Sequence, residues 1–425
     1  MGVGMGTGTG TGTARPEMTA TTTPAPVTAS ALDSPRSLFR FLVRELRPRP
    51  PFITTFNVLS IPIVLVGLVI LAIRFTQGLG SITNLNQEFP WGFWIGFDVV
   101  SGVALAGGAY VVTFMVYVLK VERYHPIVRV TVLNGFLAYA FYAGGLVLDL
   151  GKPWNIINPI IGNSFGFNSV LFLVAWHFLL YMVAEFIEFS PAIAEWMGAR
   201  RLRRFLQSIT IGTVIAGFTI STLHQAGLGA LFLMAKSKIH PLWYTEFMPV
   251  LFFVSSIFAG LSMVIVEGTL SHRVLKDHMD AEHGAFDKLI FGLARGAALS
   301  MFAYYFFKAL IFIHEHHWDL MGDRWGNLYL LEILGLTLVP CFMFAYGIRH
   351  RSLGVVRWAA GLAILGVVLN RLNISLIAFN WFSPNHYYPS WQEVWVTAMI
   401  ISCEIWVFRW VVMRMPVLRK ATGFD

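Results

Sequence analysis

The chain has 425 residues, of which 56% are hydrophobic, 15% aromatic and only 13% charged. A soluble domain carries roughly twice that charged fraction, so the composition excludes an ordinary soluble enzyme and points to a polytopic membrane protein. The net charge of +8 is then a topology signal rather than a sign of nucleic-acid binding.

Residues 1–33, rich in Gly, Thr, Ala and Pro, contain no apolar run of the kind a signal peptide needs and are expected to be a disordered tail. Residues 34–54 form a basic amphipathic arm expected to lie on anionic membrane lipids. Ten apolar spans follow, near 55–75, 91–118, 127–148, 168–189, 208–235, 248–270, 289–313, 327–346, 355–378 and 391–413. The fold expected is an all-α bundle of about ten transmembrane helices over residues 55–415, with a short tail at 416–425. Alternate linkers carry 22 and 5 Lys plus Arg residues. Positive-inside therefore places both termini in the cytoplasm of a cell whose inner membrane holds the chain. The outward loops NLNQEFPWGFW, GKPWNIINPIIGNSFGFN, KIHPLWY and NWFSPNHYYPSW are rich in Trp, Tyr, Pro and Asn. They suit an interfacial aromatic belt and a docking surface for an outer partner.

The two cysteines, Cys341 and Cys403, lie far apart in apolar spans, and no C-x-x-C occurs. This chain therefore offers no thiolate set for an iron–sulfur cluster or attached haem, and no metal site is expected. The absence of a P-loop or G-x-G-x-x-G argues against nucleotide chemistry.

Ionisable residues inside the spans carry the functional signal, because charge at membrane depth is costly. In Thr219–Met234, His224 and Gln225 precede the small residues Ala226, Gly227 and Gly229. These small residues admit either a close helix or a flat ligand. At about 1.5 Å per residue, Asp98 lies roughly 10 Å below the outer surface, with Arg371 at similar depth. Equal depth invites an Asp98–Arg371 ion pair. Glu332, Asp149 and Lys308 lie near the same rim. His224 and His177 are deeper, and Glu267, Glu185, Glu188 and Glu404 lie toward the cytoplasm. Glu188 and Arg295 also suit the role of helix-end anchors. Ranked by depth, Glu267, His224 and Asp98 form a proton relay and the catalytic set, with His177, Glu185 and Glu332 as further proton sites. The bland alternative is a histidine and an ion pair that serve packing alone.

Matched depths of His177 and His224 leave one b-type haem open. Pro62 and Gly102-x-x-x-x-Gly107-Gly108 hint only weakly at a transporter, because no internal repeat accompanies them. A quinone pocket fits best, formed by Trp91, Asp98, His224, Gln225, Gly227 and Arg371.

PWGFWIGFD (90–98), RYHPIVR (123–129), LDLGKPWN (148–155), FNSVLF (167–172), EFSPA (188–192), LHQAGLG (223–229), HPLWY (240–244), VEGTL (266–270) and RLNISLIAFN (371–380) together resemble the NrfD/PsrC family. Within it they are most similar to the HybB-type membrane subunits of hydrogenase-2 nickel–iron uptake hydrogenases. The resemblance runs from about residue 50 to 415. It implies a ten-helix, quinone-reactive subunit without haem or iron–sulfur cluster. Its partners would be a periplasmic ferredoxin-like iron–sulfur subunit and the small and large nickel–iron hydrogenase subunits. It would exchange electrons with menaquinone or ubiquinone, with protons drawn either from the cytoplasm through Glu267 and His224, which would conserve energy, or from outside near Asp98, which would not. The same resemblance implicates His224 and Glu267 in quinone or proton handling. It also shows one departure, Leu173 in place of the family's acid after N-S-V-L-F, whose role His177 or Glu185 would take. The alternatives are the membrane subunit of a molybdopterin oxidoreductase of the polysulfide or nitrite reductase type, and a mono-haem b-type cytochrome.

Overall fold

The computed structural model describes residues 34–47, 53–161, 168–275 and 286–418. The expected tail at 1–33, residues 48–52 of the arm and the last seven residues of the C-terminal tail lie outside the described residues. Among the described residues the chain is helical apart from one isolated bridge, Ile239 to Phe379. Ten helices are long and apolar enough to cross a membrane. They are span 1 Thr55–Gln77, span 2 Trp94–Val118, span 3 Glu122–Asp149, span 4 Val170–Trp196, span 5 Arg200–Leu233, span 6 Met248–Val274, span 7 Phe286–His314, span 8 Arg324–Arg349, span 9 Leu353–Ile377 and span 10 Trp391–Val412.

Local chemistry sets several boundaries. Thr54 accepts the Asn57 amide at 3.2 Å at the start of span 1, and Asp323 accepts the amides of Trp325 and Gly326 before span 8. Ser390 and Glu393 form a reciprocal capping box on span 10. Span 5 begins at Arg200, earlier than the expected 208. Gly198, at φ +74°, turns the chain within a few residues of span 4, and the basic run RRLRR then continues as helix.

Spans 2 and 6 are the centre of the bundle, 72% and 61% buried over their most apolar stretch, whereas span 1 is 17% buried and lies on the outside. Glycines permit the central crossing. A side chain on Gly107 would meet the Ser256 carbonyl at 2.7 Å, and one on Gly260 would run into the Gly108 backbone. Four stretches widen from α to π turns: Trp94–Ser101, Phe114–Val118, Leu331–Leu338 and Asn373–Ile377. Each inserts extra backbone and rotates the succeeding turns about the helix axis.

One face of the bundle is tied by cations. Arg129 and Arg203 converge on Glu195, at 2.7 Å and 2.6 Å, and Arg129 also donates to the Pro416 carbonyl. Arg414 donates to the carbonyls of Glu45 and Arg47. These bonds hold the arm helix Pro35–Leu46 against the end of span 10, so the two described ends share this basic face. The opposite face carries the aromatic loops.

Candidate functional site

Span 3 provides the scaffold. Gly135, Tyr139, Tyr142, Gly145 and Asp149 recur at three- to four-residue spacing, so they share one side of the helix, with Asn134 beside them on the adjoining side. Three polar clusters surround or approach that side.

The first cluster lies between spans 3, 4 and 5. His224, 1% exposed, points Nδ1 at the Val174 carbonyl, 3.2 Å away. Its ring is flanked by Phe178 at 5.5 Å and Tyr139 at 5.8 Å between centroids. Gln225 donates to the Val103 carbonyl at 2.9 Å. Around this pair, buried polar groups accumulate: Tyr139 Oη lies within hydrogen-bonding reach of Ser221 and Gln225, Tyr181 Oη within reach of Glu185, and His224 Nε2 has no protein partner. A buried polar atom without a partner is rare in folded interiors, and one set among such groups marks a working site or a bound polar group. His177 is half-buried within electrostatic reach of His224, and exposed Leu173 and Leu180 flank it on span 4. The cluster is therefore about one side chain away from the lipid-facing surface.

The second cluster lies near the aromatic face, between spans 6, 7, 8 and 9. Glu332 accepts from Trp243 at 2.7 Å, Asn370 at 2.7 Å and Asn373 at 2.6 Å. Arg371 donates to Asn370 at 2.8 Å, Ser255 at 2.6 Å and the Phe252 carbonyl at 3.2 Å. Its guanidinium lies 3.5 Å over the Phe252 ring. Lys308 lies near this knot, and a small cavity beside it is lined by Trp243, Phe252, Tyr304, Lys308 and Asn370.

The third cluster runs down the other flank of span 3. Thr397 donates to Asp98 at 2.8 Å. Glu404 lies within electrostatic reach of both Asp98 and Glu267, with Tyr142 near all three. Asn134 donates to Glu267 at 2.7 Å. A cleft at the basic face reaches Glu267. It encloses about 390 Å³ including its open mouth and is lined by Thr131, Asn134, Ser271 and His272 among others.

The structure thus brings together some of the expected residues and separates others. His224, Gln225, His177 and Glu185 share one neighbourhood. Asp98 and Arg371 form no ion pair. The π turn that carries Asp98 faces it toward span 10, while Arg371 faces span 6. Glu332 belongs to the Arg371 knot rather than to a line with His224. Glu267 is aligned with Glu404 and Asp98, so Glu404 occupies the intermediate position expected of His224. Gly227 makes room for a helix, since a side chain there would meet Val174 Cγ2 at 2.9 Å. Trp91 stays in the loop layer, donating to the Ser375 carbonyl at 2.9 Å and packing 4.7 Å from Phe379. Neither described cavity is lined by Asp98, His224 or Arg371. Tyr139, Tyr181 and Ser221 escaped the sequence reading, although the recurrence of Gly135, Tyr139 and Tyr142 on one side of span 3 was a usable signal.

His177 and His224 lie on adjacent helices, His224 Nδ1 is directed at the Val174 carbonyl, and aromatic rings flank its imidazole. At the aromatic face His240 is enclosed by Trp243, Trp325 and Trp381 at 5.6, 5.2 and 4.7 Å. Burial pushes this imidazole below the usual histidine range, against the opposing pull of Asp323.

The family described as "Polysulphide reductase, NrfD" matches residues 81–382. A protein of Nitratidesulfovibrio vulgaris is 41% identical over 368 residues, 86% of this chain and 95% of its own length. The "Probable Ni/Fe-hydrogenase 2 b-type cytochrome subunit" of Escherichia coli is 30% identical over 84% of this chain and 91% of its own length. The "Menaquinone reductase, integral membrane subunit" of Nitratidesulfovibrio vulgaris is 26% identical, with 77% and 82% covered.

Proposed function

We propose that this chain, which belongs to the NrfD family, is the quinone-reactive membrane subunit of a respiratory hydrogenase complex. The observation that carries this reading is the buried cluster of hydroxyl, amide and imidazole groups around His224, whose Nε2 has no protein partner, set one side chain from lipid at mid-membrane depth. Reducing a quinone to quinol requires two electrons, two protons and hydrogen-bonding groups at the ring oxygens. His224 Nε2 and the hydroxyls of Tyr139 and Ser221 supply such groups where a lipid-soluble ring can arrive past His177. The names of the hydrogenase and menaquinone reductase relatives support the same chemistry.

Electrons arrive from an iron–sulfur partner docked on the aromatic face, the periplasmic side by the distribution of positive charge. Protons enter on the basic, cytoplasmic face, where the cleft opens onto Glu267. Glu404, Tyr142 and Asp98 continue that line toward the outer leaflet. Oxidation of hydrogen to two protons outside, with two protons taken up inside, separates charge across the membrane. In this reading Arg371 and Glu332 hold the outer ends of the spans together and do not contact quinone. The chain carries no haem.

The test is isolation of the complex from membranes, followed by hydrogen-driven menaquinone reduction, metal analysis and a reduced optical spectrum. Turnover with nickel present and no haem α-band supports the proposal. Molybdenum without nickel would replace the hydrogenase partner with a molybdopterin oxidoreductase, and an α-band would reject the haem-free assignment.

A further inference from the structure

Glu185 is 1% exposed, the Tyr181 hydroxyl lies within hydrogen-bonding reach of its carboxyl, and among the described residues it forms no ion pair. The bundle nevertheless makes room for it. Gly135 of span 3 faces Glu185 Oε1 so closely that any side chain there would displace the carboxyl. One turn toward the basic face, Gly217 of span 5 does the same for Glu188, whose Oε1 would meet an added Cβ at 2.8 Å.

On the other side of Glu185, the hydroxyls continue. Tyr181 lies beside Glu185, and its ring packs 4.7 Å from that of Tyr139. Tyr139 lies near Ser221 and Gln225, and its ring is a neighbour of His224. Counting about 1.5 Å per residue from the basic end of span 4, Glu188 lies roughly 12 Å in, Glu185 roughly 16 Å and Tyr181 roughly 22 Å. A carboxyl bordered by hydroxyls, with no cation fixing its charge, can both receive and pass on a proton.

We propose that Glu185, fed through Glu188, delivers protons to the His224 pocket by way of Tyr181 and Tyr139. It is a positioning and proton-supplying residue rather than one that touches quinone. The proposal rests on the quinone-reactive reading above. It assigns this pocket a supply separate from the Glu267, Glu404 and Asp98 line on the opposite flank of span 3. It also gives the chain a carboxyl for the pocket where Leu173, 41% exposed, offers none.

The test uses the intact complex with hydrogen as donor and a soluble menaquinone analogue as acceptor, comparing wild type with Glu185→Gln, Glu185→Asp and Tyr181→Phe. Glu185→Gln is expected to lower kcat about 10-fold or more with KM unchanged and dye-linked hydrogen oxidation intact. Glu185→Asp restores part of the rate, which a packing role would not require, and Tyr181→Phe slows turnover in the same way. In the wild-type complex, an infrared carboxyl carbonyl band shifts on quinone binding and is lost in Glu185→Gln. Wild-type kcat in Glu185→Gln, or an unchanged carboxyl band, overturns the proposal and leaves the quinone reading standing. Absence of quinone reduction by the wild-type complex overturns both. Should Glu185→Gln fail to accumulate, equal kcat in wild type and in both Glu185→Asp and Tyr181→Phe overturns the proposal.

Discussion

Two buried polar regions of this bundle are built on opposite principles. Around Glu332, the carboxylate accepts three side-chain donors, and the neighbouring Arg371 donates to Asn370, Ser255 and a main-chain carbonyl. Around His224 and Glu185, polar groups are just as deeply buried, but the contacts run between hydroxyls, an amide and a carboxyl with no cation among them, and His224 Nε2 has no partner. A carboxylate held by several fixed donors sets structure, whereas a chain of hydroxyls ending at an open imidazole nitrogen has hydrogen-bonding capacity left for a ligand or a moving proton. Residue type does not distinguish them, since each contains a glutamate, a large aromatic residue and an amide.

The sharpest way to break this contrast is at its saturated pole. Glu332→Ala leaves the donors of Trp243, Asn370 and Asn373 buried without an acceptor, at a cost of about 3 kcal/mol or more. Thermal unfolding and the amount of folded chain in membranes should both fall; a stable variant would remove the knot's structural role. At the other pole, His224→Ala should lower hydrogen-to-quinone turnover about 100-fold, while unfolding shifts by only about 1 kcal/mol for the lost bond to Val174. A stability loss as large as that of Glu332→Ala would erase the distinction.

A pair of serines gives a closer comparison. Ser255→Ala removes a partner of the Arg371 guanidinium and should cost about 1.5–3 kcal/mol. Ser221→Ala removes a hydroxyl whose neighbour is the uncharged Tyr139 hydroxyl and should cost about 1 kcal/mol or less. Equal effects in parallel unfolding curves would show that the partner's charge does not predict energy here. The smallest expected effect on turnover is at the cleft. Glu267→Gln keeps an acceptor for Asn134 and should slow quinone reduction about 10-fold, with loss of proton uptake from the basic side measured in sealed vesicles. Retained uptake would remove Glu267 from the route.

Depth was legible in the sequence and azimuth was not. Hydropathy located all ten spans, because about 20 apolar residues are needed to cross a bilayer. A constant rise per residue then ranked Glu267, His224 and Asp98 by depth. Which way each side chain points depends on about 100° of rotation per residue. The π turns at Trp94–Ser101 and Asn373–Ile377 add backbone beside Asp98 and Arg371. Two residues at one depth therefore face different neighbours, and the expected Asp98–Arg371 pair does not form. The same uncertainty hid Glu404, whose depth was evident but whose alignment with Asp98 and Glu267 requires the packing of span 10 on span 3. For Gly227 the sequence allowed a helix or a ligand, and the contact with Val174 shows a helix.

The glycine crossing of spans 2 and 6 limits how this protein can move anything. With Gly107 and Gly108 pressed against Ser256 and Gly260, the helices bearing Asp98 and Glu267 touch nearly backbone to backbone. A rocking motion that opened first one side and then the other would have to prise that contact apart. A proton passing along the proposed line would then move by rotation of hydroxyls and carboxyls within a stationary frame, a device that suits a species as small as a proton and not a bulky solute.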